Sequence, residues 1–191
     1  MASRIALIVG LGNPGSEYEA TRHNAGFWFI DELARQTGCE LRKDSKFHGQ
    51  AGKTSLHGEP VWLLKPDTFM NRSGQSLSSL AKYYKIPVEN ILVVHDELDF
   101  EPGDVRLKKG GGHAGHNGLR DIISAMGSKA FLRLRVGIGH PGNSKDVSDF
   151  VLTRPSAADR TQIGYAIDDA LHVMPELVDG NIEKAMQQLH S

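Results

Sequence analysis

IALIVGLGNPGSEYEATRHNAGF, residues 5–27, runs from an unbroken apolar pentapeptide into Gly10, Gly12 and Gly15, spaced G-x-G-x-x-G. A dinucleotide-binding turn of that spacing opens a helix at its third glycine, so that the pyrophosphate meets the helix N-terminus. It also needs an acidic residue about 20 positions later, at the end of a second strand. Here the polar run SEYEATRHN separates Gly15 from the first helical spacing, and the acids near the right distance, Asp31 and Glu32, fall inside that helix. Pro14 removes a backbone N–H where a phosphate would want donors. The glycines are better read as permitting a tight turn at a strand end.

If IALIV is a strand covered on both faces, VWLL (61–64) and ILVV (91–94) are its equivalents, and the three form the centre of a sheet. VRLK (105–108) and RLRVGI (133–138) alternate instead. Arg106 and Lys108 then share one strand face, as do Arg133 and Arg135. Helical spacing appears at Phe27, Ile30, Leu33 and Ala34, with Asn24 as N-cap and Gly38 as stop. It recurs at Leu77, Leu80, Ala81 and Tyr84 before Pro87, and at Leu119, Ile122, Ile123 and Met126 before Gly127. A fourth helix carries Ile163, Ala166, Ile167, Ala170, Leu171 and Met174 behind Ser156 and Asp159 in capping-box spacing. A last one carries Val178, Ile182, Ala185, Met186 and Leu189, with a kink or break expected at Pro175. The alternation predicts an α/β fold: a single-domain three-layer sandwich over residues 1–191, with a twisted, mixed, partly parallel sheet flanked by helices.

Length and composition agree. A chain of 191 residues buries roughly 70% of the surface its unfolded state exposes. No apolar run approaches a membrane span, and MASRIALIVG is too short in apolar residues for a secretory leader. Cys39 is the one cysteine, which fits a reducing compartment, and the expectation is a cytoplasmic protein. The net charge of −1 hides an asymmetry. Residues 103–145 hold eight Lys/Arg against Asp104 and Asp121, whereas residues 146–191 hold three against eight acids. That pattern suits one face for nucleic acid or phosphate, or else a solvated face.

In open α/β sheets, ligands bind beyond the carboxyl ends of the parallel strands. That rule collects Asn13 and His23 from the first strand's loop, Asn71 from KPDTFMN, Asp96 from HDELD, and His113, His116 and Asn117 from GGGHAGHNG (110–118). Each has an ordinary structural reading too. Asn71 and Asn117 stand where N-caps stand, and Asp96 is a turn former. Tyr18 is a loop anchor, Phe69 and Met70 are core residues, and His95 is a packing residue at a strand end.

Taken together, GLGNPGSEYEATRHNAGF, KPDTFMNRSG, VVHDELD, GGGHAGHNGLRDI and RLRVGIGHPG resemble the bacterial peptidyl-tRNA hydrolase family, over essentially the whole chain and in family order. The resemblance implies hydrolysis of the ester joining a peptide, or an N-blocked amino acid, to the 3'-terminal ribose of tRNA. It implies His23 as the base that activates water and Asp96 as the acid that orients it. Asn13 falls on the position that separates blocked from unblocked substrates. Tyr18, Phe69, Asn71 and Asn117 fall on substrate-binding positions, and Lys108 and Arg135 on basic positions linked to tRNA phosphate. Arg106 and Arg133 join these two from the strand alternation. No cofactor and no metal are called for. The implied partners are the acceptor end and nascent peptide of peptidyl-tRNA and a stalled large ribosomal subunit, with no membrane, and the protein is expected to be a monomer.

The chemistry suits those residue types. A neutral imidazole is a base near pH 7, a carboxylate fixes its tautomer, and side-chain amides stabilise a developing oxyanion. Three positions depart from the family pattern: Ala114, where glycine is also familiar, Pro175, and Lys145, which falls out of register. Three other readings compete. A metal-dependent hydrolase would use some of His95, Asp96, His113 and His116, but no HExxH supports it. A noncatalytic RNA-binding module needs no His23 and Asp96 pair. A serine hydrolase lacks its G-x-S-x-G elbow.

Overall fold

The computed structural model describes residues 4–191. One seven-stranded sheet carries the chain, in the order β2-β3-β4-β1-β5-β7-β6. Its middle consists of β1 (Leu7–Gly10), β4 (Glu59–Pro66), β5 (Ile91–Glu97) and β7 (Leu132–Gly137), all parallel. The flanks are β2 (Arg42–Asp44) with β3 (Gly49–Leu56) on one side and β6 (Val105–Lys109) on the other, each paired antiparallel. The three central apolar runs are thus strands buried from both sides.

Alternate residues of those strands feed two cores. Ile8, Leu63, Leu92 and Val94 meet α1 (Ala25–Thr37), α5 (Ala157–Val178) and α6 (Ile182–His190) through Phe29, Ile30, Ile163 and Ala185. Leu7, Val9, Leu64 and Val93 meet α2 (Ser73–Tyr83) and α3 (Asn117–Met126) through Leu77, Leu80, Leu119 and Ile122. The result is the expected three-layer α/β arrangement. Each fully buried Leu, Ile or Phe contributes roughly 1.5–3 kcal/mol against exposure, so both layers are firmly held to the sheet. A short α4 (Val147–Val151) completes the set.

The helix ends follow the sequence signals. Gly38 and Gly127 close α1 and α3 in the left-handed region, and the Ser156 hydroxyl accepts from Asp159 N–H at 3.1 Å. Asn24 differs from its expected role, since its side chain makes no cap bond. Pro175 does not break the helix: α5 runs through it to Val178, and the break comes at Asp179–Asn181 before α6. Val178 therefore belongs to α5.

The glycine turn owes its composition to close approach. A Cβ on Gly10 would lie 2.2 Å from the Gly26 carbonyl oxygen, and one on Gly26 would lie 2.5 Å from both Leu11 N and the Val94 carbonyl oxygen. The end of β1, the start of α1 and β5 thus meet backbone to backbone. Only Gly15 of the three motif glycines has positive φ, at 109°.

Candidate active site

The long loop after β1 ends in a single 3-10 turn, Arg22–Asn24, that carries His23 over the end of β5. β5 presents Asp96, which is 4% exposed. The loop between β6 and α3 brings His113, His116 and Asn117, and the segment after β4 brings Phe69, Met70 and Asn71. His23, Asp96 and the residues named from these two segments line one cleft of about 620 Å3 together with Asn13, and Tyr18 does not. Tyr18 joins through Phe69, their rings edge to face at 6.2 Å.

Asp96 is the hub. His23 Nδ1 lies 2.8 Å from Oδ2, and His116 Nε2 lies 2.8 Å from Oδ1. The tautomers follow from the remaining bonds. Gly118 and Leu119 N–H donate to His116 Nδ1 at 3.1 and 3.3 Å, so the His116 proton sits on Nε2 and is donated to Asp96. His23 donates from Nδ1, which leaves Nε2 as its basic nitrogen. Burial works against the Asp96 charge, but the two imidazoles outweigh it and hold the carboxyl well below the usual carboxylate range. For His23, burial disfavours the imidazolium, yet the Asp96 charge and hydrogen bond prevail and raise its pKa above 6.5. His95 faces the opposite balance. It is 3% exposed, its Nδ1–H donates to the Asp96 carbonyl at 2.9 Å, its Nε2 has no partner, and burial with the neighbouring His116 pushes its pKa down to about 4.

Asn13 is clamped on three sides. Its N–H donates to Asn24 Oδ1 at 2.8 Å, and its carbonyl accepts from Asn24 Nδ2 at 3.0 Å. Its own Oδ1 accepts from Met70 N–H at 2.6 Å. Only the Nδ2 group is left for a ligand, so Asn13 presents donors. Asn71 and Asn117 are exposed and serve no helix as caps: α2 begins behind Arg72, and the cap of α3 is His116. Their amides are therefore open to the cleft.

The basic residues divide. The register pairs Arg106 with Arg135 and Lys108 with Arg133, so all four project from one sheet face. Arg135 donates from Nε to Glu97 at 2.8 Å and covers the Phe100 ring, which Arg106 flanks from the other strand. Lys108 is exposed and lies against Gly111. Arg133 departs from the expectation of a phosphate contact. It is 2% exposed, and its guanidinium donates to the Gly111, Gly112 and Lys129 carbonyls, tying down the glycine loop that bears His116 and Asn117. In that loop Ala114 holds φ of 48°, a conformation that favours glycine.

Sequence reasoning missed the second imidazole on Asp96 and the clamp that Asn24 places on Asn13. It also missed Arg22, whose N–H donates to the Thr153 carbonyl at 3.0 Å while its guanidinium bonds the Phe150 carbonyl and Thr153 and covers the Phe150 ring. That fork joins the cleft wall around α4 to the residue next to His23.

The acidic and imidazole groups of His23, Asp96 and His116 lie within 4.8 Å of one another, a spacing that a metal ion would also accept. Their bonding fits a hydrogen-bonded relay better. With two backbone N–H groups fixed on His116 Nδ1, Nε2 carries a proton where a metal would need a lone pair. His113 stands apart from this group, its Nδ1 accepting from Gly115 N–H at 3.0 Å.

Residues 7–191 match the family model for peptidyl-tRNA hydrolase. Proteins of that name from Methylococcus capsulatus and Coxiella burnetii are similar end to end: the first is 59% identical over 97% of this chain and 99% of its own, the second 53% identical over 100% of both. The crystal structure of peptidyl-tRNA hydrolase from Acinetobacter baumannii superposes with a TM-score of 0.97 at 52% identity, covering 100% of this chain and 97% of that one. The chain belongs to the peptidyl-tRNA hydrolase family.

Proposed function

We propose that the cleft hydrolyses the ester between a peptide, or an N-blocked amino acid, and the terminal ribose of tRNA, with His23 as general base and Asp96 as its orienting acid. The observation that carries the assignment is the 2.8 Å bond between His23 Nδ1 and Asp96, set in a cleft lined by three asparagines. Water placed beside His23 Nε2 loses a proton to it and attacks the ester carbonyl. The amides of Asn71 and Asn117 donate to the oxyanion that forms. As the tetrahedral species collapses, the imidazolium returns its proton to the ribose oxygen, giving a free peptide acid and a tRNA with its hydroxyl restored.

Asn13 supplies selectivity by donating to a carbonyl of the blocked amino acid. A free ammonium in the same place meets donors only and loses its hydration, so aminoacyl-tRNA is spared. Phe69 and Tyr18 form the lip that meets the acceptor end. Lys108, Arg135 and Arg106 supply phosphate contacts, which makes binding salt-sensitive and largely independent of sequence. The setting that fits is a cytoplasmic monomer recycling peptidyl-tRNA released from, or stalled on, the large ribosomal subunit. Among the described residues no helix is long and apolar enough to cross a membrane.

The test is release of acetylated against free amino acid from one tRNA, with and without chelator. Rapid release of the acetylated form alone, undiminished by chelator, supports the reading. Loss of activity on chelation favours a metal enzyme, and equal release of both forms removes Asn13 from selectivity.

A further inference from the structure

Part of the cleft lining is apolar, interrupted by Ser144 and Ser148, and the reaction as described makes no use of it. Leu98, Val147, Val151 and Leu152 form this part. Leu98, Val147 and Val151 pack into the larger core, whereas Leu152 does not and stays 43% exposed. An isolated exposed leucine on a protein surface is ordinary. Here it adds to the apolar lining of a concave site, and Phe69, 57% exposed, is the other large apolar side chain left open at that cleft. The lining is held in place: Arg22 bonds the Phe150 carbonyl and Thr153 from the position next to the catalytic imidazole, so α4 cannot drift from His23 without breaking that fork. The acids bordering the lining are Glu97, engaged by Arg135, and exposed Asp99, while His140 borders it from β7's far end.

We propose that this apolar lining is a subsite for the side chain of the ester-linked amino acid, and that it favours apolar residues there. The proposal rests on the esterase reading above. Once the ester carbonyl lies against His23, the α-carbon beside it falls next to the wall that Arg22 ties to that histidine, and its side chain projects onto Leu152. A leucine side chain removes apolar surface from water on this wall. The near-isosteric asparagine loses hydration and finds only the Ser144 and Ser148 hydroxyls among the apolar side chains, with Asp99 and His140 at the border, to replace it. The wall is open on one side, so the preference is modest.

One tRNA charged with N-acetylleucine or N-acetylasparagine, identical in every other respect, tests it. The expected kcat/KM ratio of leucyl to asparaginyl substrate is roughly tenfold for the natural protein, and Leu152→Ser brings it to within about twofold of unity. A ratio near one in the natural protein, or an unchanged ratio in Leu152→Ser, overturns the subsite. Arg22→Lys keeps the charge but not the fork, and the ratio should fall part of the way. If it does not, the wall is not positioned from Arg22. Absence of hydrolysis of either substrate by the natural protein overturns the esterase reading itself and the subsite with it, and is thereby told apart from hydrolysis without preference.

Discussion

His23 and Asp96, 73 residues apart in the chain, meet through a 2.8 Å bond from Nδ1 to Oδ2, and that bond decides which nitrogen of His23 is basic. His23→Ala removes the proposed base and leaves the asparagines and the basic face in place. Turnover of N-acetyl-aminoacyl-tRNA should fall by about 10²–10⁴-fold, while tRNA binding measured by filter retention changes little. Hydrolysis at the natural rate would take the base assignment away from His23.

The pH profile follows from the same bond. In the proposed mechanism unprotonated His23 is the active form, and its pKa is raised from 6.5, so kcat/KM should climb with pH to a midpoint above 6.5. Asp96→Asn removes the charge but not the burial, so the midpoint should move to lower pH even as the rate falls. A midpoint that stays put in Asp96→Asn would mean that another group sets the limb.

His95 makes a separate statement about stability. Its folded pKa of about 4 lies below its unfolded value of 6.5, so between those limits the unfolded chain binds more protons and stability falls as the solution is acidified. The depressed Asp96 adds its own loss only lower, below the ordinary carboxylate range near 3.9. His23, whose pKa is raised, acts in the opposite sense only above about pH 6.5, so thermal unfolding followed from pH 6 to pH 4 should show Tm declining, and His95→Asn, whose Nδ2 replaces the Nδ1 donor to the Asp96 carbonyl but does not titrate, should flatten the decline.

Asn13→Asp keeps an acceptor for Met70 N–H and replaces the donor group with an anion. Activity on acetylated substrate should drop by about 100-fold, and the ratio of blocked to free substrate should drop with it, because an ammonium now finds a partner. Release of both forms measured side by side shows the change, and an unaltered ratio places selectivity elsewhere.

Two neighbouring arginines should fail in different ways. Lys108→Ala or Arg135→Ala should raise KM and lower the salt slope of binding by about 1, the loss of one phosphate contact. Arg133→Ala should leave the slope as it was and lower kcat and Tm, because its guanidinium holds the Gly111 and Gly112 carbonyls.

The elements with strong local signals were legible in the sequence. Three apolar runs read as central strands, and Gly38, Gly127 and Ser156 marked helix ends correctly. β2 and β3 were not legible, because GQAGKTSL has little apolar alternation and owes its strand form to pairing with β4. The turn that joins β3 to β4, His57–Gly58, places both residues at positive φ, a hairpin device that His-Gly signals weakly. At the site, the strand-end rule gathered most of the cleft. What it missed depends on which atom of a side chain is already taken. HAGHN does not reveal that His116 caps α3 while bonding Asp96, nor does TRHN reveal that Asn24 closes on Asn13. Arg133 looked like Arg135 in the strand alternation, and only the loop lying over it separates the two.

The sheet order has a bearing on how this protein is made. β5, which carries Asp96 one residue before its end, lies between β1 and β7, and β7 is not finished until residue 137, while α5 closes the core beneath β1 later still. A chain emerging from the ribosome is itself esterified to tRNA, the bond its own cleft would attack. The base and acid are both made by residue 97, but β7, which flanks β5, ends at residue 137 and α5 begins only at Ala157, so a nascent chain would carry an unsupported site through much of its own synthesis.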